Sequence, residues 1–145
     1  MSKHLTRTLL LLALACGCAC SDSQNEGGAF SATPEPRPQI NEEKILRHLI
    51  GERVRNVPDE NNAAEPISWT FDEDEPKELT LVEKQEDGDK ATVVIDIKTR
   101  SKEGVTPPRQ LAGRLRLHYE LQTELIFRQW EIVKIDNISM KYRKE

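Results

Sequence analysis

The chain has 145 residues, 37% of them hydrophobic, and a formal net charge of -4 from Lys+Arg 21 against Asp+Glu 25. That length and composition support one modest hydrophobic core, and the well-mixed charge shows neither a nucleic-acid footprint nor a polybasic membrane patch. All three cysteines stand at positions 16, 18 and 20, so no disulfide framework can hold the remainder of the chain together.

Residues Met1 to Arg7 carry Lys3, His4 and Arg7, and Thr8 to Ala15 form a short apolar run that ends in small residues and cysteine. This reads as a signal peptide, because the run is far below the roughly 20 apolar residues that a membrane span requires. The segment Leu12-Ala13-Leu14-Ala15-Cys16-Gly17-Cys18-Ala19-Cys20 resembles the lipobox of bacterial lipoproteins, in which a small residue precedes a cysteine that is lipidated and becomes the mature N-terminus. The resemblance covers the leader alone. Cys18 and Cys16 rank together as lipidation candidates and Cys20 third, since Gly17 stands where the family carries a larger apolar residue. None of the three is followed directly by Asp, which under the resemblance favours the outer membrane in a two-membraned cell. The implied partner is the lipid bilayer itself, reached through acyl chains that each contribute roughly 0.8 kcal/mol per buried methylene.

A signal peptide over 1–17 is followed by a segment, 18–39, of Ser, Asn, Gly27-Gly28 and Pro34-Glu35-Pro36-Arg37-Pro38. It has little apolar surface to offset the entropy of ordering, so it reads as a disordered tether with a reach of about 25 Å. A folded domain is expected over 40–141, with 142–145 as a frayed, basic C-terminus.

Asn41 is a good N-cap, Glu42 and Glu43 suit the first turn, and Ile40 with Ile45 make a hydrophobic staple. The spacing of Ile45, Leu46, Leu49 and Ile50 predicts a helix over 42–50, stopped by Gly51 in a left-handed conformation, with His48 on the solvated side. Short strands are expected at 52–57, with Val54 buried, and at Ile67, Trp69 and Phe71. Leu79, Leu81 and Glu83 share one side of the next strand, which turns through Asp87-Gly88 into a strand over 90–100. After a loop containing Pro107-Pro108, Leu115, Leu117, Tyr119 and Leu121 alternate with Arg114, Arg116, His118 and Glu120. A half-buried strand explains that period of two. A turn is placed at 122–124. The last strand, 125–138, changes apolar phase between Ile132 and Val133, as a bulge or burial on both faces would make it do.

The fold class is therefore α+β: one N-terminal helix packed on a curved antiparallel sheet of four to six strands. Ile45 to Gly51, Trp69-Thr70-Phe71, Gly113 to Glu120 and Trp130 to Ile135 together resemble the cystatin-like or NTF2-like architecture of many small bacterial lipoproteins. The Gln-x-Val-x-Gly hairpin of cystatin inhibitors is absent, which argues against protease inhibition by that route. NTF2-like enzymes carry more than one helix around an acid/base cone, and here one clear helix stands alone.

No Gly-x-Ser-x-Gly, cysteine nucleophile, His pair, zinc pattern or phosphate-cradling loop accompanies His48 and His118. No enzyme activity, cofactor or metal is expected, because the acidic groups at 72–75 and 87–89 lack calcium-loop spacing. The candidate ligand or partner face is Arg114, Arg116, His118 and Glu120, on the polar side of the central strand. The expected function is that of a non-catalytic, lipid-anchored envelope module that binds a protein partner. The alternative is an NTF2-like small-ligand or isomerase-type domain with a cavity between helix and sheet, into which Tyr119 or His118 points.

Overall fold

The computed structural model describes residues 36–124 and 127–145. They form one short helix, α1 (Glu42–Leu49), and seven strands: β1 (Arg53–Val57), β2 (Ile67–Thr70), β3 (Lys77–Asp87), β4 (Lys90–Arg100), β5 (Arg109–Glu124), β6 (Phe127–Asn137) and β7 (Lys141–Lys144). All pairings between strands are antiparallel. β1 and β2 make a two-stranded sheet, while β3-β4-β5-β6 run side by side with β7 added to β5, giving a second sheet of five. The α+β class holds in this form.

The helix starts as its residues dictate. Asn41 Oδ1 accepts a hydrogen bond from the Lys44 backbone N–H at 2.9 Å, and the staple residues Ile40 and Ile45 are both buried. Helical geometry stops at Leu49, one residue earlier than expected. Ile50 turns to extended backbone and is 42% exposed, and Gly51 adopts φ +84, the left-handed conformation that glycine tolerates. The Gly51 N–H then donates to the Phe71 carbonyl at 2.8 Å, tying the helix end to the close of β2.

Ile45 and Leu49 of α1 share one apolar cluster with Val93, Ile95 and Ile97 of β4 and with Leu111, Leu115, Leu117 and Tyr119 of β5. Val54, Val57, Trp69 and Phe71 close the cluster from the two-stranded sheet. β5 is the hub, pairing with β4 along most of its length and with β6 and β7 in turn on its other edge.

Two bulges set which side chains enter this core. In β6 the register passes from Tyr119↔Ile132 to His118↔Lys134, so Val133 is the extra residue and Ile132 and Ile135 both face inward. That is the bulge the apolar phase change called for. The second bulge, at Val82, has no such signal. Leu81 faces Ile95, but Glu83 lies opposite Val94, so Glu83 joins the outer face rather than the Leu79 and Leu81 side.

Two further expectations are corrected. Gln122, Thr123 and Glu124 are strand residues, paired with Gln129, Arg128 and Phe127, so the connection falls at 125–126, outside the described residues. The C-terminal tail does not fray. Residues 141–144 form β7 against Arg109 to Ala112, with Tyr142 buried, because its N–H and carbonyl bond the Pro58 carbonyl at 3.0 Å and the Glu60 N–H at 2.8 Å. The chain reaches that position through a sharp kink at Ile138 to Met140, whose backbone presses on Gly113. A Cβ added there would lie 2.4 Å from the Ser139 carbonyl oxygen, and Gly113 has φ +140, so no other residue fits without strain.

Arg37 and Pro38, assigned by composition to the tether, are held by the sheet. The Trp130 indole N–H donates to the Pro38 carbonyl at 2.7 Å, and the Arg37 guanidinium lies 4.8 Å over the Trp130 ring while donating to the Gly88 carbonyl.

Candidate functional site

The side-chain alternation of β5 places Arg114, Arg116, His118 and Glu120 together on the face opposite the core, as the sequence implies. Their neighbours follow from register. Asp96 of β4 stands across from Arg114, and Lys134 and Asp136 of β6 stand across from His118 and Arg116. Cross-strand neighbours on one face lie close enough for direct side-chain contact.

Arg114 meets Asp96 in a two-pronged ion pair, Nε to Oδ1 at 2.7 Å and Nη2 to Oδ2 at 2.8 Å. The planar fork of a guanidinium matches a carboxylate in this way, and the paired Asp96 carboxyl is held below its ordinary range by Arg114. His118 Nε2 lies 2.7 Å from Asp136 Oδ2, while the Lys134 ammonium sits 2.9 Å from Oδ1 of the same carboxylate. The hydrogen bond from Lys134, then that from His118, holds the Asp136 carboxyl down. Glu120 is 3.8 Å from the Lys90 ammonium. Arg116 is exposed, and among the described residues it enters no ion pair or side-chain hydrogen bond. It lines, with Glu83, Gln85, Thr92, Val94 and His118, an open depression of about 320 Å³.

This surface displays a fixed checkerboard of charge with one uncommitted guanidinium. A His-Asp pair can move protons, yet the side chains lining the depression include no thiol, and Thr92 is the one hydroxyl beside it. Among the described residues, no cluster of three or more metal-ligating groups occurs.

A second constellation lies between α1 and β5, and it reverses one expectation. His48 is not on the solvated side. Its ring sits 5.6 Å from that of Tyr119 at a 57° tilt, with Nδ1 buried and without a hydrogen-bond partner. Burial, then the charges of Lys44 and Arg47, lowers its pKa against an opposing pull from Glu131. Tyr119 is 1% exposed and points inward, its hydroxyl equally unpartnered. Burial raises that hydroxyl's pKa, and the charge of Glu52 adds to the effect. His118, by contrast, points outward.

Asp96, Lys134 and Asp136 were not recognisable as site residues from the sequence, since only the register of three strands brings them to β5. The lipidation candidates Cys16, Cys18 and Cys20 lie outside the described residues. Among the described residues, no helix is long and apolar enough to cross a membrane. Comparisons with protein-family models, with curated proteins and with solved structures found no match to this chain.

Proposed function

We propose that this protein is a lipid-anchored lipoprotein of the bacterial cell envelope, acting as a non-catalytic interaction module. Acylation at Cys18, Cys16 or Cys20 fixes it to the outer membrane of a two-membraned cell, and the domain reaches an envelope protein partner on its tether. The lipobox-like leader supports the anchor, and the short helix with antiparallel sheets of two and five strands is in keeping with a cystatin-like or NTF2-like body. The observation that carries the interaction reading is the open face of β5, where Arg114 and His118 are pinned by hydrogen-bonded carboxylates while Arg116 keeps its charge uncommitted. Pinned charges lose little side-chain entropy when a partner docks, so such a face suits recognition.

Two measurements test this. Labelled palmitate incorporates into the full chain, and serine at all three cysteines abolishes incorporation and frees the protein from membranes. Crosslinking in intact cells then yields a defined adduct with the parent chain that Arg116→Glu weakens. Incorporation without any Arg116-sensitive adduct would leave the anchor and remove the docking face.

A second reading, a small-ligand or isomerase-type site between helix and sheet, is favoured by the unpartnered Tyr119 hydroxyl and His48 Nδ1. Buried polar atoms without protein partners are uncommon, and a bound ligand is one way to satisfy them, as ordered water is another. Isothermal titration with small phenols and ketones distinguishes the readings: saturable binding lost in Tyr119→Phe selects the second.

A further inference from the structure

At one end of the five-stranded sheet two strands outrun the others. The β3–β4 turn, Asp87-Gly88-Asp89, closes against β5 where the Leu121 N–H donates to the Asp89 carbonyl at 2.8 Å, and Lys90↔Glu120 is the last pair between β4 and β5. β5 and β6 run on alone through Gln122↔Gln129, Thr123↔Arg128 and Glu124↔Phe127. Those three pairs, at about 3.3 Å each, carry a two-stranded finger roughly 10 Å past its neighbours.

The finger puts apolar surface where water reaches it. Phe127 is 66% exposed, the most exposed large hydrophobic side chain among the described residues, whereas Trp130 at the root of the finger is 3% exposed. The connection that Phe127 adjoins reads Leu125-Ile126 in sequence, where tight hairpins ordinarily carry Gly, Asn or Asp. Arg128 is exposed beside Phe127 and enters no ion pair among the described residues. Carboxylates stand close by: Glu124 is paired across from Phe127, and Asp87 and Asp89 flank Gly88 in the neighbouring turn.

We infer that this finger dips into the surface of a zwitterionic lipid bilayer, with Phe127 at the boundary of headgroups and acyl chains and Arg128 extended to a lipid phosphate. The chain outside the described residues points to lipid as the occupant. It enters the domain at Arg37-Pro38, which is held to Trp130, and it carries both the apolar run Thr8 to Ala15 and the cysteines proposed for acylation. An anchor reached through that segment brings this end of the sheet to the membrane first. The projection of roughly 10 Å matches the depth of about 5–10 Å to which interfacial apolar groups sink. The nearby carboxylates repel an anionic surface, which selects zwitterionic lipid. This orientation deepens the anchor reading, and rests on it, but uses none of the open face around Arg116.

The test couples the full chain, carrying Cys16→Ser and Cys20→Ser, through Cys18 to a maleimide lipid in phosphatidylcholine vesicles, so that nearness to the membrane does not depend on acylation. With Phe127→Trp added, lipid brominated on its acyl chains should quench the new indole, and its emission should shift to the blue. Trp69 and Trp130 are buried, and the chain without that substitution gives their background. Glu103→Trp, in the connection between β4 and β5 at the opposite end of the sheet, should stay unquenched. Arg128→Glu, or phosphatidylglycerol in place of phosphatidylcholine, should reduce the quenching at 127. All three positions are exposed, and circular dichroism confirms that the variants fold. No quenching at 127 above background, equal quenching at 103, or quenching that requires phosphatidylglycerol would overturn the inference. So would a homodimer of the uncoupled chain, in sedimentation velocity, that Phe127→Asp dissociates, since the finger would then belong to a second copy. Palmitate incorporation without quenching at 127 keeps the anchor and removes the finger's contact; quenching without incorporation keeps the contact and removes the acyl anchor.

Discussion

The two faces of β5 share one backbone and differ in nearly everything that matters for energy. Leu115, Leu117 and Tyr119 are sealed against α1 and the two-stranded sheet, whereas Arg114, Arg116, His118 and Glu120, one residue out of phase, meet water. On the inner face a deleted atom leaves a void that its neighbours cannot fill. On the outer face every ion pair competes with solvent, so its contribution to stability is small and its value lies in holding a pattern of charge. Stability and recognition are thus separated across the thickness of one strand.

The sharpest way to break this comparison is Leu117→Ala, at a fully buried position. We expect a loss of about 3–4 kcal/mol in urea unfolding. A loss under about 1 kcal/mol would mean that the inner face is not the packed core described. Gly113→Ala should follow at about 2–4 kcal/mol, from left-handed strain and contact with Ser139. Its signature is local: hydrogen exchange should quicken at 141–144 while 90–100 stay protected, since the kink that delivers β7 is what the new methyl displaces.

The third prediction concerns pH. The folded-state pKa of His48 is lowered from 6.5 by burial, Lys44 and Arg47, with Glu131 opposing. The stability linked to its neutral form is therefore fully present above pH 6.5 and is lost as pH falls through the folded-state value. His48→Gln should flatten the stability profile just below pH 6.5; an unchanged slope would show that His48 is not buried against Tyr119.

Asp96→Asn should have the smallest effect at neutral pH, because its pair with Arg114 is exposed to solvent. The Asp96 carboxyl is lowered from 3.8, so the stability tied to its charged form is present above that value and lost as pH falls through the lower folded-state one. Melting at pH 7 should match the parent far more closely than for either core variant, and the difference should shrink further in strong acid.

Much of the inner face was legible in the sequence. The period of two in β5, the Asn41 cap and the apolar phase change before Val133 are local signals, each readable within a few residues. The outer-face network was not legible, because Asp96 and Asp136 lie 18 residues to either side of their partners and only strand register joins them. His48 was misplaced because a polar residue at the margin of the apolar stripe carries no local sign of which way it faces. The helix ends at Leu49 and Ile50 swings out to solvent, while His48, three residues after the buried Ile45, lies beside the apolar stripe and meets Tyr119. β7 was missed because nothing local in Lys141-Tyr142-Arg143-Lys144 reveals that Gly113 lets the chain cross back to β5. Glu83 was misplaced because the bulge at Val82 has no compositional mark.

The clasp of Trp130 on Pro38 and of Arg37 on Gly88 also has a mechanical consequence. Tension entering through the N-terminal segment is taken up first by the β3–β4 hairpin tip and the start of β6, near Trp130. The load therefore meets that end of the sheet before it reaches the rest of β6.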